Sequence, residues 1–138
     1  MKLFVDTWGW LALADRDEAK HKSALECYSE RCRFTGRIVT SNFVLDELLT
    51  LSFSRLPFSE AETFAKAVMA SPFVTIEWVT RERFASAMEL RLKFSDKAKI
   101  SFTDLTSMTI MKELGITDVM TADSHFLHVG LGFHVLPE

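Results

Sequence analysis

Four acidic residues in apolar surroundings are the part of this sequence best suited to chemistry. They are Asp6, Glu47, Asp104 and Asp123. Asp104 shares a predicted helical face with Met108 and Met111, so its carboxylate should point inward. An inward carboxylate is costly unless it is paired or binds a cation, and no Arg or Lys is an obvious partner. Because all the ligands would be oxygens, Mg²⁺ or Mn²⁺ is favoured over zinc.

The predicted elements bring these acids to one edge of a sheet. Asp6 directly follows a strand at 2–5, and Asp123 lies just beyond a strand at 118–121. Asp104 lies in the first turn of the helix leading into that second strand. Glu47 lies one turn into the helix after the strand at 37–40 and should face the sheet, whereas Asp46 lies on the flank. Ligands of parallel sheets bind at the carboxyl ends of the strands, where these acids converge.

The whole chain reads as an alternation of strands and helices. Strands are predicted at 2–5, 37–40, 73–79, 118–121 and 133–136, and helices at 7–14, 15–33, 43–55, 59–71, 80–94 and 101–114. Parallel strands need helical crossovers, which cover both faces of the sheet. We therefore expect an α/β fold with three layers, α/β/α, around a central parallel sheet of four to five strands.

Several helix starts carry capping signals. Ser41 or Asn42 can cap the helix predicted from residue 43. The segments 59–62 and 101–104 each begin with Ser and carry an acid, and both read as capping boxes.

Composition predicts one globular domain spanning residues 1–138. The chain has a formal net charge of −3, 48% apolar residues and 25% charged residues. No apolar segment is long enough for a membrane helix, so we expect a cytoplasmic protein without membrane contact. Cys27 and Cys32 are the only cysteines and should be reduced. The mild acidity argues against nucleic-acid binding by bulk charge, but it leaves room for a local site.

Four motifs in this sequence resemble those of PIN-domain ribonucleases, especially the small toxins of the VapC type. They are Phe4-Val5-Asp6-Thr7, Val44-Leu45-Asp46-Glu47-Leu48-Leu49, Ile100-Ser101-Phe102-Thr103-Asp104 and Val119-Met120-Thr121-Ala122-Asp123-Ser124-His125-Phe126. The last two, joined by Gly115-Ile116, are the most specific part. One departure is Leu105, where many relatives carry a small residue.

The resemblance implies a fold, an activity and partners. It implies a PIN-like fold in which the four acids bind one or two Mg²⁺ or Mn²⁺ ions that activate water for attack on an RNA phosphodiester. It also implies supporting roles in the site for Thr7, Ser101 and Thr121. Its expected partners are an RNA substrate, a cognate antitoxin protein and a second copy of the chain in a homodimer.

Basic residues before the third motif are candidates for RNA binding. They are Arg91, Lys93, Lys97 and Lys99. They could line a path for the RNA backbone, or they could simply form a solvated charged loop. His125 is a further candidate, for assisting proton transfer.

Other functions remain open on sequence grounds. A PIN nuclease of RNA maturation or quality control would carry the same acids as a toxin. A non-catalytic PIN-like module that binds RNA or protein would be expected to have lost some of them. A phospho-aspartate hydrolase using Asp6 as nucleophile usually needs a second acid two residues on, where this chain has Trp8.

Overall fold

Five short parallel strands form the centre of the fold. The computed structural model describes all 138 residues. The strands are β1 (Leu3–Val5), β2 (Ile38–Ser41), β3 (Val74–Glu77), β4 (Asp118–Met120) and β5 (His134–Leu136), in the order β3-β2-β1-β4-β5. Leu3 of β1 is in register with Ile38 on one side and with Asp118 on the other. The strand order therefore reverses direction at β1, which is where open α/β sheets form crevices for ligands.

Seven helices connect and cover these strands. They are α1 (Thr7–Ala14), α2 (His21–Arg31), α3 (Asn42–Arg55), α4 (Phe58–Ala70), α5 (Arg81–Lys93), α6 (Phe102–Leu114) and α7 (His125–His128). The predicted α/β/α architecture, with a parallel sheet of four to five strands, is confirmed. None of the seven helices combines the length and the apolar character that crossing a membrane requires.

A relay of hydrogen bonds fixes α1 against the middle of the sheet. The indole N–H of Trp10 donates to the Thr40 hydroxyl at 3.0 Å, and that hydroxyl donates to the Val5 carbonyl oxygen at 3.0 Å. All three residues are fully buried or nearly so. Each polar group is therefore satisfied in the core, and β1, β2 and α1 are held in one arrangement.

Gly9 lets α1 approach the sheet closely. A Cβ atom at this position would lie 2.7 Å from the Met120 carbonyl oxygen and 2.8 Å from Val5 Cγ1. The first of these is backbone of a central strand and cannot move aside. Packing of α1 on β1 and β4 thus depends on the missing side chain.

We expect Gly9→Ala to lower the free energy of unfolding by about 1–3 kcal/mol, because the added methyl group overfills this contact. Urea denaturation followed by circular dichroism measures the change. Lys22→Ala, at an exposed position of α2, is the control and should stay within about 0.5 kcal/mol of the parent. A Gly9→Ala protein as stable as this control would show that α1 can move away from β1 and β4 without loss of stability.

Two of the predicted caps are present and one is wrong. Ser41 Oγ accepts the Val44 N–H at 3.1 Å, and Ser101 Oγ accepts the Asp104 N–H at 3.0 Å. The box predicted from Ser59 does not form, because α4 already begins at Phe58 and has Pro57 as its N-cap without a side-chain hydrogen bond. The proline ring pre-sets the backbone for helix entry, so Ser59 falls inside the first turn.

Other elements also differ from the sequence prediction. The helix expected over 15–33 is shorter, because the Asp15 carboxylate accepts the Asp17 N–H at 2.9 Å and turns the chain before α2. The strand expected over 73–79 is the edge strand β3, which ends at Glu77. The helix α7 was not predicted, since it spans only four residues. Cys27 and Cys32 are free thiols, as expected.

Candidate active site

The carboxyl edge of the sheet carries a cleft of about 250 Å³ that contains all four predicted acids. Residues from α1, α3 and α6 and from the segment after β4 line it. They are Asp6, Thr7, Trp8, Leu11, Glu47, Leu51, Arg55, Ser101, Asp104, Thr121 and Asp123. Residues distant in sequence thus converge at the carboxyl edge of the sheet, as predicted.

Asp6 lies deepest in this cleft. Its backbone N–H donates to the Met120 carbonyl oxygen at 3.2 Å, extending the pairing of β1 with β4. Its side chain caps α1 by accepting the Gly9 N–H at 2.9 Å, and the residue is 5% exposed. The cap uses one lone pair of a carboxylate that has several, so Asp6 keeps acceptor capacity for a cation.

Glu47 enters the cleft from α3. Its Oε1 atom accepts a hydrogen bond from the Thr7 hydroxyl at 2.8 Å. The neighbouring Asp46 is exposed on the outer side of the helix. The sequence prediction that Glu47 and not Asp46 faces the sheet is therefore correct in the structure.

Asp104 and Asp123 meet on the other side of the cleft. Together with His125 they offer ligand atoms that all lie within 4.8 Å of one another. The Thr121 hydroxyl accepts the Asp123 N–H at 2.9 Å, and Asp123 Oδ1 in turn accepts the His125 N–H at 2.8 Å. His125 Nδ1 lies 2.9 Å from the same oxygen without a hydrogen-bonding orientation. These turns hold Asp123 at the start of α7.

Burial and mutual repulsion make two of the acids hard to ionise. Burial, followed by the charges of Asp123 and Glu47, raises the pKa of Asp6 to about 7 against the opposing hydrogen bonds. Burial, a hydrogen bond to Asp123 and the charge of Asp6 raise the pKa of Asp104 to about 8. Both carboxyls therefore favour the protonated, neutral form in the absence of a cation.

Asp123 takes the negative charge in its pair with Asp104. Burial alone would raise its pKa, but the hydrogen bonds from Asp104 and from the His125 backbone N–H lower it overall. Asp104 is therefore the protonated member of the pair, and it donates a hydrogen bond to the ionised Asp123. A divalent cation would displace this proton and let both groups ionise.

A buried acid elsewhere in the fold is neutralised by a basic side chain instead of a cation. Asp118, at the amino edge of the sheet, is 6% exposed and pairs with the Arg31 guanidinium at 2.7 Å. None of the four cleft acids forms an ion pair with Arg or Lys. The four carboxylates offer only oxygen ligands, and such a set fits a hard divalent ion in place of a basic side chain.

The predicted supporting residues and the predicted RNA contacts have different locations. Thr7, Ser101 and Thr121 line the cleft, whereas the basic residues before the third motif do not. Arg91 donates to the carbonyl oxygens of Lys97 and Ile100 and so holds the loop before α6. RNA binding by these basic residues stays a prediction.

The three lysines before the third motif differ in their contacts. Lys97 pairs with Asp96 at 3.1 Å. Lys93 lies over the Phe94 ring at 5.6 Å, and Lys99 is exposed.

Four residues of the cleft were not predicted from the sequence. They are Trp8, Leu11, Leu51 and Arg55. Leu51 and Arg55 follow Glu47 at intervals of four residues, so a helical repeat from Glu47 could have found them. Trp8 and Leu11 lie on α1 beyond Asp6 and look like ordinary core residues in the sequence.

Comparison with protein families gives one decisive match. Residues 3–131 match the PIN domain, which is almost the whole chain. The chain belongs to the PIN-domain family. The resemblance that the four motifs indicated is therefore confirmed.

Two curated relatives of this PIN domain come from strains CDC 1551 / Oshkosh and ATCC 25618 / H37Rv of Mycobacterium tuberculosis. Both are named 23S rRNA-specific endonuclease VapC20. The PIN domain is 32% identical to each over 136 residues, which cover 99% of this chain and 99% of the relative.

Solved structures agree with this assignment. The crystal structure of Mycobacterium tuberculosis VapC20, described as a sarcin-ricin loop cleaving toxin, superposes on this PIN domain with a TM-score of 0.82 at 30% identity. The match covers 94% of this chain and 95% of the other. VapBC2 from Rickettsia felis, bound to a DNA fragment from its promoter, gives 0.74 at 16% identity over 98% and 97% of the two chains, and shares the fold.

Proposed function

We propose that this protein is a Mg²⁺- or Mn²⁺-dependent endoribonuclease and the toxin of a toxin–antitoxin pair. The observation that carries the proposal is the convergence of four carboxylates, none of them paired with Arg or Lys, in one cleft of a PIN domain. An intact acidic set argues for an active enzyme and against a non-catalytic binding module. Full-length similarity to VapC20 favours a toxin over a nuclease of RNA maturation.

The roles of the acids follow from their surroundings. Asp6, Asp104 and Asp123 would hold the metal, with Glu47 completing the set from α3. A bound Mg²⁺ or Mn²⁺ would supply Lewis-acid activation of water and charge stabilisation at the phosphate. Thr7 orients Glu47 by its 2.8 Å hydrogen bond, and Thr121 orients Asp123 through the backbone. Such outer contacts fix ligand geometry before the substrate arrives.

The relatives suggest the substrate and the partners. The names of VapC20 specify 23S rRNA and its sarcin-ricin loop, and we extend this substrate class to the present protein. An antitoxin protein is the expected inhibitor of such an enzyme, in the cytoplasm where ribosomes are found. Homodimerisation is proposed on family grounds only.

Replacing Glu47 tests the site with a matched control on the same helix. We expect Glu47→Gln to lower the cleavage rate by at least about tenfold, because the amide loses the charge that helps to bind the metal. Asp46→Asn removes an exposed acid of the neighbouring position and should cleave at the parent rate. The assay incubates each purified protein with ribosomes, with total cellular RNA and with a synthetic sarcin-ricin hairpin in Mg²⁺, Mn²⁺ or EDTA. Products are read on a denaturing gel, and RNA binding is read on a native gel.

Each result bears on one of the functions. Cleavage of the hairpin that needs metal and Glu47 supports the proposal. Cleavage of other cellular RNA, with the hairpin intact, would favour a maturation nuclease. A folded protein that binds RNA without cleaving it in either metal would contradict an enzyme and favour the binding module.

A further inference from the structure

One wall of the cleft carries no acid and has no role in holding a metal. Trp8, Leu11, Leu51 and Arg55 form this flanking wall, between α1 and the second half of α3. Trp8 is half-buried and packs with one side on the core, while Arg55 is exposed at the end of α3. The flanking wall therefore combines an aromatic surface packed on the core with one exposed positive charge.

Arg55 is the only basic side chain that lines the cleft. It forms no ion pair, in contrast to Arg31 and Arg83, which are both engaged with carboxylates. Four carboxylates repel an approaching polyanion such as RNA. A metal ion bound between them would offset this repulsion but would add little net attraction. A guanidinium at the mouth supplies the net attraction and matches phosphate geometry with two parallel N–H donors.

The helical spacing sets where this charge acts. Arg55 lies eight residues beyond Glu47, which is roughly 12 Å along the helix axis, and Leu51 lies between them. About two helical turns thus separate the backbones of Arg55 and Glu47, and a phosphate held by Arg55 can be the one next to the phosphate at the acids. That phosphate belongs to the neighbouring nucleotide. The base of this nucleotide comes within reach of the apolar residues of the flanking wall.

We propose that the flanking wall binds the nucleotide next to the scissile phosphate, with its base against Trp8 and its backbone phosphate on Arg55. This inference rests on the proposed function and deepens it by naming residues that bind substrate. Aromatic and guanidinium groups are the common partners of unstacked RNA bases and backbone, respectively. The wall thereby selects RNA whose bases are splayed out at the cleavage point.

Binding and kinetics test the two residues separately. Binding is measured by fluorescence anisotropy with a labelled short single-stranded RNA and with an abasic ribose-phosphate oligomer of equal length. The proteins carry Asp104→Asn so that RNA survives. KM and kcat are measured in the otherwise unchanged chain with the sarcin-ricin hairpin. Arg33→Ala and Trp78→Leu, both at exposed positions outside the cleft, are the matched controls.

We expect Arg55→Ala to weaken binding of both oligomers about tenfold and to lower the salt dependence of log K by about 0.7, the value for one phosphate contact on a single strand. KM should rise with kcat unchanged, and Arg55→Lys should restore the salt dependence. Trp8→Leu should weaken RNA binding at least about fivefold and leave the abasic oligomer unaffected, whereas Trp8→Phe keeps binding.

Contrary results separate this inference from the proposed function. If the parent cleaves RNA, and both Arg55→Ala and Trp8→Leu bind and cleave like the two controls, the flanking wall does not bind substrate. The same holds if Arg55→Ala only lowers the melting temperature, which would assign Arg55 to stabilisation of the α3 dipole. If the parent protein cleaves no RNA, the proposed function fails, and the anisotropy data still decide whether the wall binds nucleotides.

Discussion

Asp104→Asn is expected to abolish RNA cleavage while it makes the metal-free protein more stable. The carboxyl of Asp104 has a pKa raised to about 8 by burial and by neighbouring acids, so at neutral pH it opposes folding. The Asn amide is neutral and of equal size, and it can still donate a hydrogen bond to Asp123. We expect a gain in the free energy of unfolding on the order of a few kcal/mol.

The loss of activity has a separate cause. The Asn side chain carries no charge, and one fewer anionic ligand should reduce cleavage at least about 100-fold. Gel assays of RNA cleavage and urea denaturation in EDTA measure the two effects on the same preparation.

The same substitution at Asp118 is the control for stability. Asp118 is also buried, but its carboxylate pairs with Arg31 at 2.7 Å. Asp118→Asn leaves that guanidinium without its partner and should lower the free energy of unfolding by about 3 kcal/mol. An Asp104→Asn protein destabilised as strongly as Asp118→Asn would refute the interpretation of the cleft acids.

Metal-free protein is expected to lose stability as the pH rises from about 4 to 8, and Mn²⁺ should reverse this loss. Asp6 and Asp104 have folded-state pKa values of about 7 and about 8, above those of an unfolded chain. Between the unfolded-state and the folded-state pKa values, the folded state binds more protons than the unfolded state. The free energy of unfolding therefore falls as the pH rises through this range. A cation that binds only the ionised folded state adds RT ln(1 + [L]/Kd), which is about 2.7 kcal/mol at 100 Kd.

Melting temperatures measured across this range in EDTA and in Mn²⁺ test the prediction. His134 contributes in the same direction, because hydrogen bonds with Glu138 and Asp118 raise its pKa and this stabilisation is lost at high pH. The double variant Asp6→Asn with Asp104→Asn is therefore the control. Its melting temperature should depend less on pH and should not respond to Mn²⁺. A parent protein whose stability in EDTA rises toward pH 8 would contradict the prediction.

The acids of the cleft were predictable because local rules place them. Asp6 and Asp123 follow apolar strands, and Asp104 and Glu47 lie on the apolar faces of helices with clear caps or periods. Helical crossovers make the strands parallel, so their carboxyl ends meet at one edge of the sheet, although the order of the strands was not predicted. Neither inference needs information about distant contacts.

The flanking wall was not predictable in the same way. A helical repeat from Glu47 places Arg55 on the same face of α3, but whether that face still lines the cleft two turns later is a property of tertiary packing. Trp8 reads as one more apolar residue of α1. Ser59 misled the prediction of α4, since the chemistry of a capping box was present but Pro57 had already started the helix.

The position of β1 in the middle of the sheet affects when this enzyme can act during its own synthesis. β1 can pair with β2 early in synthesis, but its other neighbour, β4, is made only after β3 and α6. Asp123 follows β4 and is needed to complete the cleft. A nascent chain is therefore without its full acidic set until the segment after β4 has been made. The order of the strands thus delays completion of the cleft, and with it nuclease activity, until β4 and the segment after it have been made.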